Sequence, residues 1–250
     1  GGKTLAASSY NLVASTITLN ADSIITLTTG TIVGVVDGAA DNVGTITFNG
    51  TTSTSLGTTL GSTHGLAAVN VGDSGVVTIG DSIKALLVTI GGGTSGSLTL
   101  SSDKTIYGNV AIASQATLTL NSGATVAGSI DGAAANSGIL SINSDYTANN
   151  AIGGSMGLAS TVIANSKSLT LGAYSLNSTT VTVDSGATLT LAGGLLTGAV
   201  RGSSSGNGTV NLTGNNYTLA GNIGTAASLA SIAISSSKII NANSYNLSAT

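Results

Sequence analysis

Aliphatic residues alternate with Thr and Ser along most of this chain. The pattern begins with Leu12, Val13, Ile17, Leu19, Ile25 and Leu27. It is clearest in the runs ATLTLNSGA (116–124) and ATLTLAGGL (187–195). A period of two is typical of half-buried β-strands. We therefore predict strands in which Leu118 and Leu120 point inward and Thr117 and Thr119 point outward, each followed by a Gly or Asn corner.

A glycine-rich stretch occurs three times. Its copies, at intervals of 94 and 70, are TIVGVVDGAADNVGTITFNG (31–50), TVAGSIDGAAANSGILSINS (125–144) and LLTGAVRGSSSGNGTVNLTG (195–214). LGSTHGLA (60–67), IGGSMGLA (152–159) and IGTAASLA (223–230) repeat at intervals of 92 and 71. A third marker is a Lys followed at the seventh position by a Tyr, as in Lys3/Tyr10, Lys167/Tyr174 and Lys238/Tyr245. These markers indicate one repeat of about 70 residues.

The first interval is longer than the second by about 24 residues, which is the size of a single repeat unit. We place the surplus within 72–108, where strand-like runs occur at Val76–Ile79, Leu86–Ile90 and Ser97–Leu100. An insertion that keeps the pattern in phase should be one whole structural unit, so three such units would make the longer repeat. That unit has the size of one β-solenoid turn, which buries its apolar side by stacking on its neighbours.

We predict an all-β fold in which residues 1–250 form a single β-solenoid segment of about 11 turns of 20–24 residues. Its approximate repeats are 1–95, with one extra turn, then 96–166, 167–237 and a partial 238–250. Corners every 8–12 residues would also suit a sandwich or an antiparallel barrel. The insertion that keeps phase and the long-range repeats favour the solenoid.

Composition narrows the class of protein. Charged residues are 6% of the chain, against about 25% in an average domain. Absence of Pro fits a chain in which nearly every segment is paired, and absence of Cys fits either a reducing cytosol or a secreted bacterial protein. The net charge of −3 and six scattered basic residues argue against nucleic acid. No apolar run reaches the ~20 residues of a membrane-spanning helix.

The ends of the chain favour a processed or excised fragment. The chain begins with Gly, not Met. Neither end shows the polar cap that solenoids require, and Ser15 is the repeat counterpart of Thr250. We expect the protein either to continue at both ends or to stack end to end in a filament.

We expect no catalytic, cofactor or metal site in this chain. Asp37 and Asp131 share a repeat position that Arg201 fills in the third copy, which we interpret as a solvated corner and not half of a glycosidase carboxylate pair. His64 has Ser, Met and Ala counterparts, so we expect an exposed loop side chain. One His and no Cys disfavour zinc. The nonapeptide calcium motif is absent, and no Gly-Lys-Ser/Thr follows the glycines at 91–93.

Tyr and Thr offer two candidate binding faces. The six Tyr residues could stack on sugars, but Tyr10, Tyr174 and Tyr245 are repeat-equivalent, so we interpret them as packing or corner residues. Aligned Thr ladders could bind ice, but neighbouring turns read Ser-Leu-Thr, Val-Thr-Val or Asn-Leu-Thr, so we expect a ragged array that strand propensity explains. The Thr-x-Thr runs are Thr16/Thr18, Thr45/Thr47, Thr117/Thr119, Thr180/Thr182 and Thr188/Thr190.

The stretch GTVNLTGNNYTLAGNIG (208–224), with ATLTLNSGATVAGSI and IGGSMGLA, resembles the passenger domains of autotransporter surface antigens. It is most similar to the rickettsial outer-membrane-protein-B type. The resemblance covers essentially the whole chain. It implies a right-handed parallel β-helix, export through a C-terminal outer-membrane barrel that is not in this chain, and a role as surface coat or adhesin.

The resulting expectation is a non-enzymatic structural segment of a secreted bacterial cell-surface protein, such as a stalk, coat or fibre. The alternative is an adhesin that binds a host receptor or polysaccharide through one solenoid face, with aromatic or charged residues confined to that side. A polysaccharide-degrading β-helix enzyme, with two Asp carboxyls within about 10 Å in a groove, and ice binding rank lower. The expected partners are the host cell surface or its glycans, and further copies of the chain in end-to-end or lateral association.

Overall fold

A computed structural model describes residues 2–50, 54–56, 59–93, 95–214 and 217–250, with the backbone alone for 54–56. These residues contain strands and turns and no helix. The chain forms two compact units, Gly1–Gly128 and Ser129–Thr250. Gly1, where the sequence enters the predicted repeat, and Asn215 and Asn216 of the 208–224 stretch lie outside the described residues.

The strands of the first unit are short and follow one another at close intervals. Within its described residues they are β1 (Thr4–Ala6), β2 (Leu12–Leu19), β3 (Ile24–Leu27), β4 (Ile32–Gly38), β5 (Thr45–Phe48), β6 (Thr54–Leu56), β7 (Leu66–Val71), β8 (Val76–Ile79), β9 (Ala85–Ile90), β10 (Ser97–Leu100), β11 (Thr105–Ile106), β12 (Asn109–Ile112), β13 (Thr117–Leu120) and β14 (Thr125–Val126).

The first unit has three faces, and the strands within each face are parallel. One sheet has the order β1-β3-β5-β7-β9-β12, and a second has β6-β8-β10-β13. On the third face β2 pairs with β4 and β11 with β14, and single bridges through Val36, Leu60, Ile83 and Ile106 join the two pairs. Each strand therefore pairs with the strand one turn later in the chain.

The second unit follows the same plan. Within its described residues the strands are β15 (Ile130–Gly132), β16 (Ile139–Ile142), β17 (Tyr146–Thr147), β18 (Leu158–Ile163), β19 (Ser168–Thr170), β20 (Leu176–Val183), β21 (Thr188–Leu191), β22 (Leu196–Gly202), β23 (Thr209–Leu212), β24 (Tyr217–Thr218), β25 (Ser231–Ile234) and β26 (Ile240–Asn241).

Its sheets are again parallel. They have the orders β16-β18-β20-β22, β17-β19-β21-β23-β25 and β24-β26. The number of residues in a turn is given by the distance in sequence between paired residues. Among the described pairs of both units, the turn from Leu66 to Ala85 is one of the shortest, and the turn from Val36 to Leu60 is one of the longest. The chain is thus an all-β solenoid of parallel stacked strands, and the prediction of about 11 turns of this size is confirmed.

The interior of each unit is a stack of aliphatic side chains. In β10 and β13, Leu98 lies beside Leu118 and Leu100 beside Leu120, and all four side chains are fully buried. Thr117 and Thr119 point outward, as predicted. Burying one such Leu stabilises the fold by roughly 1.5–3 kcal/mol, so the alternation supplies both the strand signal and the core.

The strand assignments of the inserted segment are confirmed at β8, β9 and β10. Val13 departs from the apolar pattern of the first strands, since 74% of its surface is exposed. Consecutive residues of a strand face opposite sides, so Leu12 and Val13 cannot both point inward. The register also shifts between Val13 and Thr16.

Two long strands contain a register shift opposite a glycine. The shift between Val13 and Thr16 lies opposite Gly34, and the shift between Asn177 and Thr180 lies opposite Gly198. Both glycines have positive φ, 118° and 103° respectively. A bulge bends a strand and adds twist. Because of the bend, one strand can pass from one face of its unit to the next.

The sequence suggested that the long repeat consists of three whole turns, and this prediction is wrong. In the second unit, β16 and β23 are repeat-equivalent, yet they lie in different sheets. Three turns from Leu140 lead through Thr161 and Val181 to Val200, whereas the repeat counterpart of Leu140 is Val210. The stretch from Val200 to Val210 carries the chain one face further. Every face demands the same alternation, so a motif can move between faces while keeping its inward and outward positions.

Replacing a core leucine should destabilise the protein far more than replacing its outward neighbour. We expect Leu98→Ala to lower the free energy of unfolding by about 2–5 kcal/mol, because it leaves a cavity in a close-packed stack. Thr99→Ala should change it by less than about 1 kcal/mol. Chemical denaturation followed by circular dichroism measures both. Equal losses in the two variants would contradict the inward orientation of Leu98.

A side chain at Gly198 should disrupt the bend of the strands. A Cβ atom there would lie 1.8 Å from the carbonyl oxygen of Ser178, and φ is positive. We expect Gly198→Ala to cost at least about 2 kcal/mol. Gly193→Ala is the matched control, because its Cβ would meet no atom nearer than 3.9 Å. Thermal unfolding of both variants tests this, and a stable Gly198→Ala protein would refute it.

Candidate functional site

Ion pairs gather at the corners of the first unit. Asp41 Oδ1 lies 3.6 Å from both His64 Nδ1 and Lys84 Nζ, and Asp81 Oδ1 lies 3.8 Å from Lys104 Nζ. Asp41 follows β4, His64 precedes β7 and Lys84 precedes β9. Since the strands stack in register, corners that are one turn apart in sequence become neighbours in space.

The Asp41 carboxylate is held by one backbone donor and two basic side chains. Gly65 N donates to its Oδ1 at 3.0 Å, and Lys84 Nζ donates to the Thr63 carbonyl at 3.2 Å. The hydrogen bond from the Gly65 amide and then the positive charge of Lys84 lower the pKa of Asp41, burial opposes them, and the nearby His64 lowers it further. An anion and a cation are therefore fixed side by side on the surface.

Asp81 is the second anchored carboxylate. Thr59 Oγ1 donates to its Oδ2 at 2.7 Å, and Ser82 N donates to its Oδ1 at 2.7 Å. Burial raises the pKa of Asp81, but the Thr59 and Ser82 hydrogen bonds and the charge of Lys104 lower it further than burial raises it. The carboxylate is thus stabilised in its charged form.

Asp37 corrects the expectation of a solvated corner, since it is 8% exposed. Its Oδ1 accepts a hydrogen bond from Thr63 N at 3.0 Å, and its carboxylate also accepts one from Ser62 Oγ. Its repeat counterpart Asp131 accepts one from Ser155 N at 3.0 Å. In both copies the carboxylate holds the corner one turn later, where backbone amides face it. Arg201 is exposed.

A groove of about 660 Å³ lies on the first unit beside these pairs. Its lining mixes polar groups with two exposed apolar side chains, Leu86 and Tyr107, of which 58% and 61% of the surface is accessible. The lining residues are Asp41, Asn42, Thr59, Gly61, Ser62, Gly65, Ser82, Lys84, Ala85, Leu86, Tyr107, Gly108, Asn109, Ala127 and Gly128. Several of them are Gly, Ala or Ser, whose small size leaves the surface concave.

The predicted exposure of His64 is confirmed, with 48% of its side chain accessible. Tyr10, Tyr174 and Tyr245 are exposed next to turns, which places them at corners. Tyr146 and Tyr217 are the tyrosines that are buried. The Tyr217 hydroxyl has no hydrogen-bond partner among the described residues, and burial raises its pKa to about 12.

The outward Thr columns are interrupted, as expected. Thr78, Thr99 and Thr119 align across three strands, while the adjacent column of Ser97 and Thr117 begins with Val76. In the second unit a column starts with Thr147, Thr170 and Thr190 and continues as Asn211 and Ala233. Outward Thr therefore follows strand propensity, without a continuous lattice.

Neither a cluster of metal ligands nor a membrane-spanning helix occurs in the described part of the chain. It contains no group of three His, Cys, Asp or Glu side chains close enough to hold a metal ion. Within the same described residues, no helix is long and apolar enough to cross a membrane.

The charged corner cluster was not predicted from the sequence, although a signal for it exists. The steps from Asp41 to His64 and from His64 to Lys84 are each about the length of one turn. Thr59, Asp81 and Lys104 follow one another at the same kind of spacing. One-turn spacing of polar corner residues is therefore the pattern that predicts both sets of contacts.

Comparison with known proteins relates this chain to a bacterial surface protein. The chain is 30% identical over 225 residues to outer membrane protein A of Rickettsia rickettsii, covering 86% of this chain. It spans 9% of the length of that relative. No protein family and no solved structure matches the chain. The chain is therefore similar to a short part of a rickettsial outer membrane protein.

Acid should weaken the fold partly through Asp41 and Asp81. Their pKa values are lowered in the native state, so their stabilisation is present above the ordinary Asp value of 3.8 and is lost as pH falls through the lower native values. We expect the double variant Asp41→Asn/Asp81→Asn to lose less thermal stability between neutral and acidic pH than the parent. Asp22→Asn, an exposed position outside the groove, is the control. Parallel pH profiles of parent and double variant would contradict this.

Proposed function

We propose that this chain is a non-enzymatic structural segment of a bacterial cell-surface protein, of the autotransporter-passenger kind. Its role is to form part of a stalk, coat or fibre outside the outer membrane. Similarity to a rickettsial outer membrane protein supports the location. The expected likeness to the B-type antigens belongs to this proposal.

The observation that carries the proposal is the uniform stacked interior of both units. Aliphatic side chains lie above one another with no more than 1% of their surface exposed at Ile25, Val69 and Leu98 in one unit and at Leu140 and Val181 in the other. Parallel ladders satisfy the backbone groups between turns. A surface of Ser, Thr, Asn and few charges is suited to a barrier or spacer that needs no reacting groups.

The location is tested on the full-length parent protein in its own bacterium. Antibodies raised against this chain should label intact cells, and gold-labelled electron microscopy should place the label outside the outer membrane. A strain in which this segment is deleted in frame is the control. Labelling that appears only after the cells are permeabilised would overturn the proposed location.

The absence of catalysis is tested on the purified chain. We expect no release of reducing sugars or unsaturated products from a panel of plant, bacterial and host polysaccharides. A polysaccharide lyase and a glycosidase assayed in parallel confirm that the panel is sensitive. Turnover that disappears in an Asp→Asn variant of the chain would replace the structural role with an enzymatic one.

A second candidate is adhesion. The adhesin hypothesis calls for aromatic or charged residues confined to one side, and the groove of the first unit combines Tyr107 with Asp41 and Lys84. End-to-end or lateral association with further copies is a separate proposal.

A further inference from the structure

The groove of the first unit is built from the same corner on successive turns. Gly61, Lys84, Tyr107 and Ala127 follow one another at steps of about one turn, and all four line the groove. With strands about 4.8 Å apart, three steps between turns span about 14 Å. The groove is therefore elongated along the stack and suits an extended ligand.

Four backbone amides along the groove already have hydrogen-bond partners. Gly61 N donates to Val36 O, Tyr107 N to Ile83 O and Ala127 N to Ile106 O, each at 2.7 or 2.8 Å. Lys84 N donates likewise to Leu60 O at 2.7 Å. A peptide that binds by adding a strand needs free backbone donors and acceptors. The amides of these four residues are not available for it, which favours recognition by side chains.

The side chains combine an aromatic face with paired polar groups. Tyr107 exposes 61% of its surface, and the face of its ring carries partial negative charge that attracts the CH groups of a sugar ring. Asp41 and Lys84 place an acceptor and a donor 3.6 Å apart. One sugar hydroxyl can donate to the carboxylate while its neighbour accepts from the ammonium, and such charge-assisted hydrogen bonds are the strong ones.

Asp41 and Lys84, which line the groove, and the ion pairs beside it are balanced in charge. The Asp41 carboxylate faces Lys84 and His64, and the Asp81 carboxylate faces Lys104. Neither sign dominates, so the groove offers no excess charge to attract a polyanion or a polycation. Its volume of about 660 Å³ falls in the range of small-ligand sites.

From these features we propose that the groove binds a neutral oligosaccharide. Tyr107 stacks on a sugar ring, and Asp41 and Lys84 hydrogen-bond to adjacent hydroxyls. Leu86 borders the same ring from the preceding turn. This proposal rests on the adhesion candidate and names its site and the chemical class of its ligand.

The test uses the complete chain on an array of neutral, sialylated and sulfated glycans, with a peptide array alongside. We expect binding to neutral glycans of two or more sugars. For the best neutral glycan, titration calorimetry should show affinity reduced about tenfold or more in Tyr107→Ala and largely kept in Tyr107→Phe. Asp41→Asn and Lys84→Met should each weaken it as well.

Tyr174→Ala is the matched control, because Tyr174 is an exposed corner tyrosine of the second unit, and it should leave affinity unchanged. Thermal unfolding of each variant verifies that it folds. Binding to acidic glycans alone, to peptides alone, to nothing on either array, or equally in Tyr107→Ala would overturn the proposal. Surface labelling without glycan binding would overturn this inference and leave the structural role intact. Glycan binding by a protein that is absent from the cell surface would overturn the proposed surface role and leave this inference intact.

Discussion

Each unit depends on contacts between aliphatic side chains on successive turns of the chain. Val77, Leu98 and Leu118 illustrate it, since they pair in register and are buried. A single turn has no interior of its own, so each turn is stabilised by the turns beside it. The backbone hydrogen bonds that hold the register run between those same turns. The core and the hydrogen-bond ladder therefore depend on each other. A strand that slipped by one residue in the ladder would turn its apolar side chains toward solvent.

This arrangement leaves the corners and the outward positions free to vary. Asp37, Asp131 and Arg201 occupy one repeat position with different surroundings, and only the two carboxylates hold the next corner. In the first unit, variation at corners has brought Asp41, His64 and Lys84 together. A structural role depends on the stacked strands and their core, which are constant. Recognition, as proposed for the groove, would depend on the corners and outward positions, which vary.

Much of the fold could be predicted from residue patterns because strands, corners and the interior are all local consequences of alternation. The strands Val76–Ile79 and Ser97–Leu100 were predicted with their observed bounds, and Leu118 and Leu120 point inward as expected. Val13 was an exception, because Leu12 and Val13 are consecutive in one strand and only one of them can point inward. The approximate bounds of the long repeats, and the handedness implied by the resemblance, stay predictions.

By itself the sequence determined the fold class, the length of a turn and the identity of the core residues, since these follow from which residues avoid water at a period of two. The tertiary structure alone decided which face each motif occupies. All faces accept the same alternation, and each turn of the solenoid contains about three corners. For that reason β16 and β23 share a motif and lie in different sheets. The structure also decided which polar corners meet, since contact between Asp41 and Lys84 depends on the summed length of two turns. The groove beside Tyr107 exists only once those turns are stacked.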